Sequence, residues 1–412
     1  MVSEIITLEG HIIDSRALSE VLDDINTFGG DFELLEVHIG QRRLDRSHAR
    51  IEVSADTPEK LAQLIARLTK HGALIEAPSD VELADADLNG CFPENFYCTT
   101  NEPTFVRHNG TWHEVHDQEM DCGITYDPNA DLFRCIPMEK VRRGQRVVVG
   151  QRGIRLEPID KVVERRTFQY ISSEIAAERP KGAIIRHIAQ VMASIHKAGK
   201  RIALVGGAAI VHTDCSEHVV RLIEMKMADV LIATNALAVH DIELALFGTS
   251  GGIYVEKAAF ADTGHEHPLR AINVIRRAGG IKAAVKNGTL TSGIMHACAV
   301  HDVEFRLVGF VRDYGPLPET ICDAMEAQDQ IRQAIRGADF VLMVASGNLS
   351  IATAYILPAW TPVVAVDINP NVLHKIRDRG TFQTIGLATD AETFFSELVE
   401  EVNRLMVDDA RR

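Results

Sequence analysis

The sequence predicts an α/β protein whose C-terminal part is a doubly wound parallel sheet, preceded by a ferredoxin-like α+β unit and a small β-rich module. Three observations carry this. From about residue 160, short apolar runs recur, each ending in a glycine or polar turn ahead of a helical pattern. In residues 1–80, period-two and helical patterns alternate in the order β-α-β-β-α-β. Between them, Pro93, Pro103, Pro128 and Pro137 interrupt short apolar runs. The expected domains are therefore 1–80, 81–155 and 156–412.

In the first domain the strand signals are Glu4 to Leu8, Leu34 to Ile39 and Ala49 to Val53, and the helix signals are Ser15 to Ile25 and Pro58 to Lys70. Thr57 opens the second helix as an N-cap. Such a unit could bind an amino acid or pair subunits; the pattern leaves both open. In the middle module, Gln145 to Val149 reads as a strand. Two polar loops stand out there, Pro93 to Asn101 and Glu119 to Ile124. Long polar loops are either functional or hydrogen-bonded turns. In the third domain Arg201 to Val205 runs into Gly206-Gly207, and Val230 to Ala233 into Thr234-Asn235. Phe340 to Val344 runs into Ser346-Gly347-Asn348, and Val363 to Val366 into Asp367. Apolar strands alternating with helices form a parallel sheet covered on both faces.

Composition narrows the partners. The chain has 412 residues, with 43 Lys and Arg against 58 Asp and Glu, a net charge of −15. No basic run offers a path for a phosphate backbone, so no nucleic-acid partner is expected. No basic segment leads into an apolar stretch at Met1 to Gly10, and no apolar run is long enough to cross a membrane. A cytoplasmic enzyme, homo-oligomeric and with a small-molecule substrate, is the expectation. Cys91, Cys98, Cys122, Cys135, Cys215, Cys298 and Cys322 include no CxxC pair and read as reduced thiols. The first four could be forced into a zinc site, but their spacing lacks short chelating pairs; no metal is expected.

Neither GxGxxG nor GxxxxGK[ST] occurs. The dinucleotide case rests on the unit from Phe340 to Asp367: strand, Ser346-Gly347-Asn348 turn, helix to about Leu357, Pro358 as a stop, and a second strand ending in an acid. Gly347 would let the backbone approach a phosphate, the helix start favours an anion, and Asp367 stands about twenty residues on, where an acid accepts ribose hydroxyls. That acid would repel a 2′-phosphate, so NAD is favoured over NADP. Carboxyl ends of parallel strands converge on one crevice. Gly206, Gly207, Asn235, Ala236, Asp313 after a Leu307 to Val311 strand, and Thr389-Asp390 could line it with Gly347. The segment Asp262 to Asn273 holds an HxH at His265 and His267, without a partner at metal-binding spacing, and Arg270. Arg270 could clamp a substrate carboxylate bidentately or form a surface ion pair.

Several of these stretches also carry a family resemblance. Pro93-Glu94-Asn95-Phe96 with Thr99-Thr100-Asn101, Glu119-Met120-Asp121-Cys122, Thr234 to Asp241, His265 to Asn273, and Ser346-Gly347-Asn348 with Val366 to Pro370 resemble the archaeal-type ornithine cyclodeaminase family. That family shares a conserved region with the lysine-ketoglutarate reductase/saccharopine dehydrogenase bifunctional enzyme. It is also similar to the C-terminal half of cyanobacterial arginine dihydrolase/ornithine cyclodeaminase fusions. The resemblance spans essentially the whole chain. It implies NAD-dependent conversion of L-ornithine to L-proline and ammonia, on a fold unrelated to the mu-crystallin-type cyclodeaminases. It implies an NAD site at Asn235, Ala236, Asp313, Ser346, Gly347, Asn348, Leu349 and Asp367. The arginine-hydrolysing region of the fusions has no counterpart in these residues, so dihydrolase activity is not expected.

The expected chemistry is oxidation of ornithine at Cα, attack by the δ-amine, loss of ammonia and return of the same hydride. Proton transfers need an acid and a base near pH 7. Asp121 and Glu119 are the candidates, in loops expected to cover the crevice, with Glu94 available for the δ-ammonium and Asp241 and Glu243 next in line. Two other readings stay open: an NAD enzyme acting on another amino acid or a polyamine, as deoxyhypusine synthase-like domains do, and a non-enzymatic amino-acid and NAD sensor.

Overall fold

The computed structural model describes residues 2–10, 12–13, 16–40, 45, 47–75, 79–156, 181–255, 259–261, 264–311, 313, 315–378 and 384–410. It forms two compact units, Met1–Tyr170 with Leu357–Trp360, and Ile171–Ile356 with Thr361–Arg412. Among the described residues no helix is long and apolar enough to cross a membrane.

The first unit begins with β1 (Val2–Gly10), α1 (Ala17–Thr27), β2 (Asp31–His38), β3 (Ser47–Ala55), α2 (Pro58–Lys70) and β4 (Leu74–Ile75). The strands pair antiparallel in the order β2-β3-β1-β4, which is the ferredoxin-like arrangement. Alternate residues of β3, among them Ala49, Ile51 and Val53, are fully buried and pack with Val21 and Ile25 of α1 and Leu64 and Leu68 of α2. Helix α2 starts where expected, because Thr57 accepts from Lys60 N (3.2 Å) and Pro58 occupies the first turn. Helix α1 starts at Ala17 behind Arg16, which is left-handed (φ 64°) and gives no side-chain cap; the expected start, Ser15, lies outside the described residues. Strand β2 begins three residues before the expected Leu34, since its pairing with β3 runs from Asp31 opposite Ser54.

A second sheet follows, made of β5 (Glu82–Asp85), β6 (Thr104–His108), β7 (Thr111–His116), β8 (Gly123–Asp127), β9 (Leu132–Ile136), β10 (Arg146–Val149) and β11 (Ile154–Leu156). Its order is β11-β6-β7-β9-β8-β10-β5, around a core that includes Val106, Val115, Ile124, Phe133 and Val148. The two polar loops are the β5–β6 and β7–β8 connections.

The second unit contains α3 (Lys181–Lys197), β12 (Ile202–Gly206), α4 (Ala209–His212), α5 (Ser216–Glu224), β13 (Val230–Thr234) and α6 (Asn235–Phe247). A small sheet of β14 (Thr249–Ser250), β15 (Ile253–Tyr254) and β16 (Ala259–Phe260) precedes α7 (His267–Ala278), α8 (Ile281–Lys286) and α9 (Ile294–Val300). Then come β17 (Glu304–Val308), β18 (Thr320–Ile321), α10 (Ala324–Ile335), β19 (Phe340–Val344), α11 (Gly347–Ile356), β20 (Val363–Asp367), α12 (Pro370–Asp378), β21 (Thr384–Ala388) and α13 (Ala391–Ala410). The main sheet is wholly parallel, in the order β18-β17-β13-β12-β19-β20-β21. Strands β12 and β19 are buried along their whole length, as a sheet covered on both faces requires. Successive strands move one way from β12 to β18 and the other way from β19 to β21. The switch point of this Rossmann fold therefore lies between β12 and β19, where a doubly wound sheet opens its ligand crevice.

One strand differs from expectation. The run read as Leu307 to Val311 is Glu304–Val308, because its pairing with β13 ends at Val308 opposite Thr234 and Gly309 N then turns to Ile321 O (2.9 Å). Val311 is consequently fully exposed, and Asp313 stands in the following loop.

Candidate active site

The carboxyl ends of the parallel strands place most of the expected cofactor residues on one edge of the second unit. At the switch point, Gly207 N donates to Val344 O (3.2 Å), and a Cβ on Gly207 would lie 1.9 Å from Ala345 O. No other residue fits there. Ala345 itself is left-handed (φ 51°), a strained setting for a residue with a Cβ. Gly347, expected to let the backbone approach a phosphate, stands at the start of α11. A Cβ on Gly347 would meet only Val372, at ordinary contact distance.

Between Ala345 and α11 sits Ser346, 7% exposed, with an Oγ that has no protein hydrogen-bond partner. A buried hydroxyl left unpaired is costly unless something else satisfies it. Gly347, Asn348 and Leu349 form the first turn of α11, whose amides and dipole favour an anion. Asp367 ends β20, half-buried, with Oδ1 accepting from Asn369 N (2.8 Å). Thr389 N donates to Asp367 O (3.3 Å), so the ends of β20 and β21 adjoin. Orphaned hydroxyl, helix start and strand-end acid together fit a diphosphate and a ribose. Asp390 is committed locally: Oδ1 accepts from Thr393 N (2.8 Å), and that cap holds its carboxyl below the usual range.

On the other side of the switch point, Asn235 and Ala236 open α6. The Asn235 amide is bonded at both ends within the protein: Oδ1 accepts from Leu317 N (3.0 Å) and Thr320 Oγ1 (2.7 Å), and Nδ2 donates to Gly315 O (3.3 Å). It clasps the 315–320 loop to the sheet edge. Asp313 Oδ2 accepts from Phe310 N (2.7 Å) and so folds its own loop.

Arg270 takes the plainer of its two readings. It lies exposed on α7, and its Nε donates to Glu266 Oε2 (2.9 Å), one turn earlier. His265 is exposed, whereas His267 Nδ1 lies 2.8 Å from Thr249 Oγ1, so the HxH pair is split between surface and interior. Asp241, buried, caps α9 by accepting from Ile294 N and Met295 N (both 2.8 Å), and its desolvation pushes the carboxyl up to about 6. Buried Glu243, His240 and Thr249 form a polar network that His267 and the exposed His212 adjoin. Sequence spacing pairs Glu243 with Asp241 and gives no signal for the two histidines.

In the first unit the structure joins the two polar loops through Thr99. Thr99 Oγ1 donates to Glu119 O (2.6 Å) and accepts from Cys122 N (3.0 Å), while Thr99 O accepts from Asp121 N (3.1 Å). Glu119 is thereby buried and Asp121 exposed, in a left-handed turn (φ 58°). Glu94 is exposed and lines a groove of about 910 Å³ with Glu4, Glu82 and Arg152.

Comparison with known proteins supplies the family. Residues 186–398 match the arginine dihydrolase ArgZ-like C-terminal Rossmann-fold family, 103–185 its first C-terminal region, and 3–102 the LOR/SDH bifunctional enzyme conserved region. The ornithine cyclodeaminase of Methanothermobacter thermautotrophicus is 44% identical, over 97% of this chain and 98% of its own. The crystal structure of apo ArgZ, a cyanobacterial arginine dihydrolase, superposes with a TM-score of 0.86 at 32% identity, covering 98% of this chain and 59% of that one. AgrE, the bifunctional arginine dihydrolase/ornithine cyclodeaminase of a Nostoc species, has been solved as a ternary complex with ornithine and NAD+. It matches at 34% identity and a TM-score of 0.54, over 99% of this chain and 58% of that one. Three adjoining region matches that together run from residue 3 to 398 and near-complete coverage of an archaeal relative agree: this chain belongs to the ornithine cyclodeaminase family that shares its fold with the C-terminal part of the ArgZ-like dihydrolases.

Proposed function

We propose that this protein is an NAD-dependent ornithine cyclodeaminase that converts L-ornithine to L-proline and ammonia. The observation that carries the reading is the β19–α11–β20 unit, with its unpaired buried Ser346 hydroxyl, its helix start and Asp367 at the next strand end. It is supported by the archaeal relative of that name and by the AgrE complex with ornithine and NAD+.

Ser346 and the first-turn amides of α11 would hold the diphosphate, and Asp367 the adenosine ribose hydroxyls. When bound, NAD supplies a hydride acceptor for Cα and returns that hydride to the cyclised product, so no net oxidation results. The chain's own groups must then move protons. We assign the δ-nitrogen's protons to Asp121 and Glu119, and place Glu94 with the δ-ammonium. Incubating the protein with ornithine and NAD+ and measuring proline and ammonia tests the reading. Equal amounts of the two products are expected; their absence with a folded, NAD-binding protein would overturn it.

A further inference from the structure

Helix α6 carries a polar cluster that dinucleotide binding leaves unused. Glu243 is wholly buried, and its carboxylate accepts four hydrogen bonds. Oε1 takes those of Thr249 Oγ1 and Gly252 N, both at 2.8 Å, and Oε2 those of Gly251 N and His240 Nδ1, both at 2.9 Å. Gly251 N also lies 3.2 Å from His240 Nδ1. One nitrogen cannot donate and accept together, and the carboxylate is the stronger acceptor, so Nδ1 carries the proton and Nε2 is the basic atom. Burial pushes Glu243 up, but its hydrogen bonds with His240, Gly252, Thr249 and Gly251 outweigh this and hold the carboxyl below the usual range.

His212 completes the series. It is exposed on α4, its ring centroid stands 4.6 Å from that of the buried His240, and its Nδ1 is 2.8 Å from Ser250 Oγ. Burial, and then His240, hold His212 below the ordinary histidine value. From α7, His267 reaches the same cluster through Thr249. The groups therefore run from a buried anion through a buried imidazole to an exposed one. Anchoring the 249–252 loop would require the carboxylate alone; neither imidazole is needed for it.

Position gives the series its meaning. His212 follows the end of β12 by six residues, and His240 stands in the second turn after β13. Ser346 and Asp367 assign the adenosine half to β19 and β20, and a dinucleotide laid across the switch point extends its other half toward β12 and β13.

We propose that Glu243, His240 and His212 form a proton relay on the nicotinamide side of the crevice, serving the substrate's α-nitrogen. His212 is the group that meets substrate, and His240 and Glu243 are positioning residues behind it. The proposal rests on the cyclodeaminase reading. Ornithine enters with both nitrogens protonated. The relay takes one proton from the α-ammonium, freeing the lone pair that forms the C=N bond as the hydride leaves Cα for the nicotinamide. The δ-ammonium gives up a proton, its nitrogen bonds to Cα, and a second proton leaves it. The relay returns its proton to the α-nitrogen, whose bond to Cα breaks with that electron pair leaving on NH3. The hydride comes back to Cα, and the ring nitrogen and NH3 take up the remaining two protons. Proline and ammonium then carry the same total charge as the starting ornithine.

The test combines turnover, cofactor binding and histidine titration on the full chain. His212→Asn alters an exposed side chain and should fold normally. It should lower kcat on the order of 100-fold, the usual worth of a general acid–base group. KM for ornithine and Kd for NAD+ should stay within about twofold, and added imidazole should restore part of the rate. His240→Asn should act in the same direction. By 15N NMR of the protein without cofactor, the His212 titration should move in His240→Asn and in Glu243→Gln. Parental turnover in His212→Asn, or a His212 titration unmoved by His240→Asn, would overturn the relay. A parent that makes no proline would overturn the cyclodeaminase reading instead, and the NMR titration would still decide the relay.

Discussion

Asp367 is the strand-end acid to which the proposal gives the adenosine ribose. Its carboxylate is half-buried, and one oxygen is used by Asn369 N. Asp367→Ala should therefore leave folding intact and weaken NAD+ binding about tenfold or more, the worth of a charge-assisted hydrogen bond. Removing the negative charge should also narrow the preference for NAD+ over NADP+. Calorimetric titration with both dinucleotides checks this, and unchanged affinities would remove Asp367 from the site. Asp121 poses the opposite case, since it is exposed at a turn and its backbone N–H is already bonded to Thr99 O. If it handles protons, Asp121→Asn should cut kcat about 100-fold with NAD+ affinity unchanged, because the lost group does not touch the cofactor. Parental turnover in both Asp121→Asn and Glu119→Gln would transfer all proton handling to the second unit.

At the scale of elements, α6 holds three other segments in place. Its start holds the 315–320 loop through Asn235, its second turn caps α9 through Asp241, and Glu243 secures the 249–252 turn. Because hydrogen bonds depress the folded value of Glu243 below its ordinary 4.5, its stabilisation is present above that pH and lost as pH falls through the folded value. Glu243→Gln should thus cost about 2 kcal/mol at pH 7, typical of hydrogen bonds to a buried charge. The gap between parent and variant in urea unfolding should close as pH drops below about 4.5. A gap constant from pH 7 to pH 3 would show that the carboxylate's charge contributes nothing.

For the molecule as a whole, the proposed cycle has one diagnostic property: the hydride that leaves the substrate also returns to it. Steady conversion of ornithine should raise proline linearly while absorbance at 340 nm stays flat beyond one equivalent of protein. NADH accumulating in step with product would identify an ordinary amino-acid dehydrogenase and sink the closed cycle.

Local chemistry is enough to read α2 and β19 to their last residues. Thr57 and Pro58 specify a helix start on their own, and Phe340 to Val344 is a continuous apolar run closed by Ala345-Ser346. Ser346, Gly347 and Asp367 lie within one strand–helix–strand unit, so their grouping is likewise local. Other features depend on partners remote along the chain. Which strand neighbours β12 is decided by sheet order, and only that order shows that Gly207, not Gly347, is the residue with no room for a side chain. The side-chain partners of Asn235 lie 80 to 85 residues on, so its clasp on the 315–320 loop cannot be read from its neighbours. The His212, His240 and Glu243 series was invisible for the same reason. Its anchoring bonds to Thr249, Gly251 and Gly252 come from a turn outside α6, and His212 comes from a different strand–helix connection. Periodicity and caps are properties of adjacent residues, whereas steric exclusion at a crevice and buried polar networks arise only once distant segments pack.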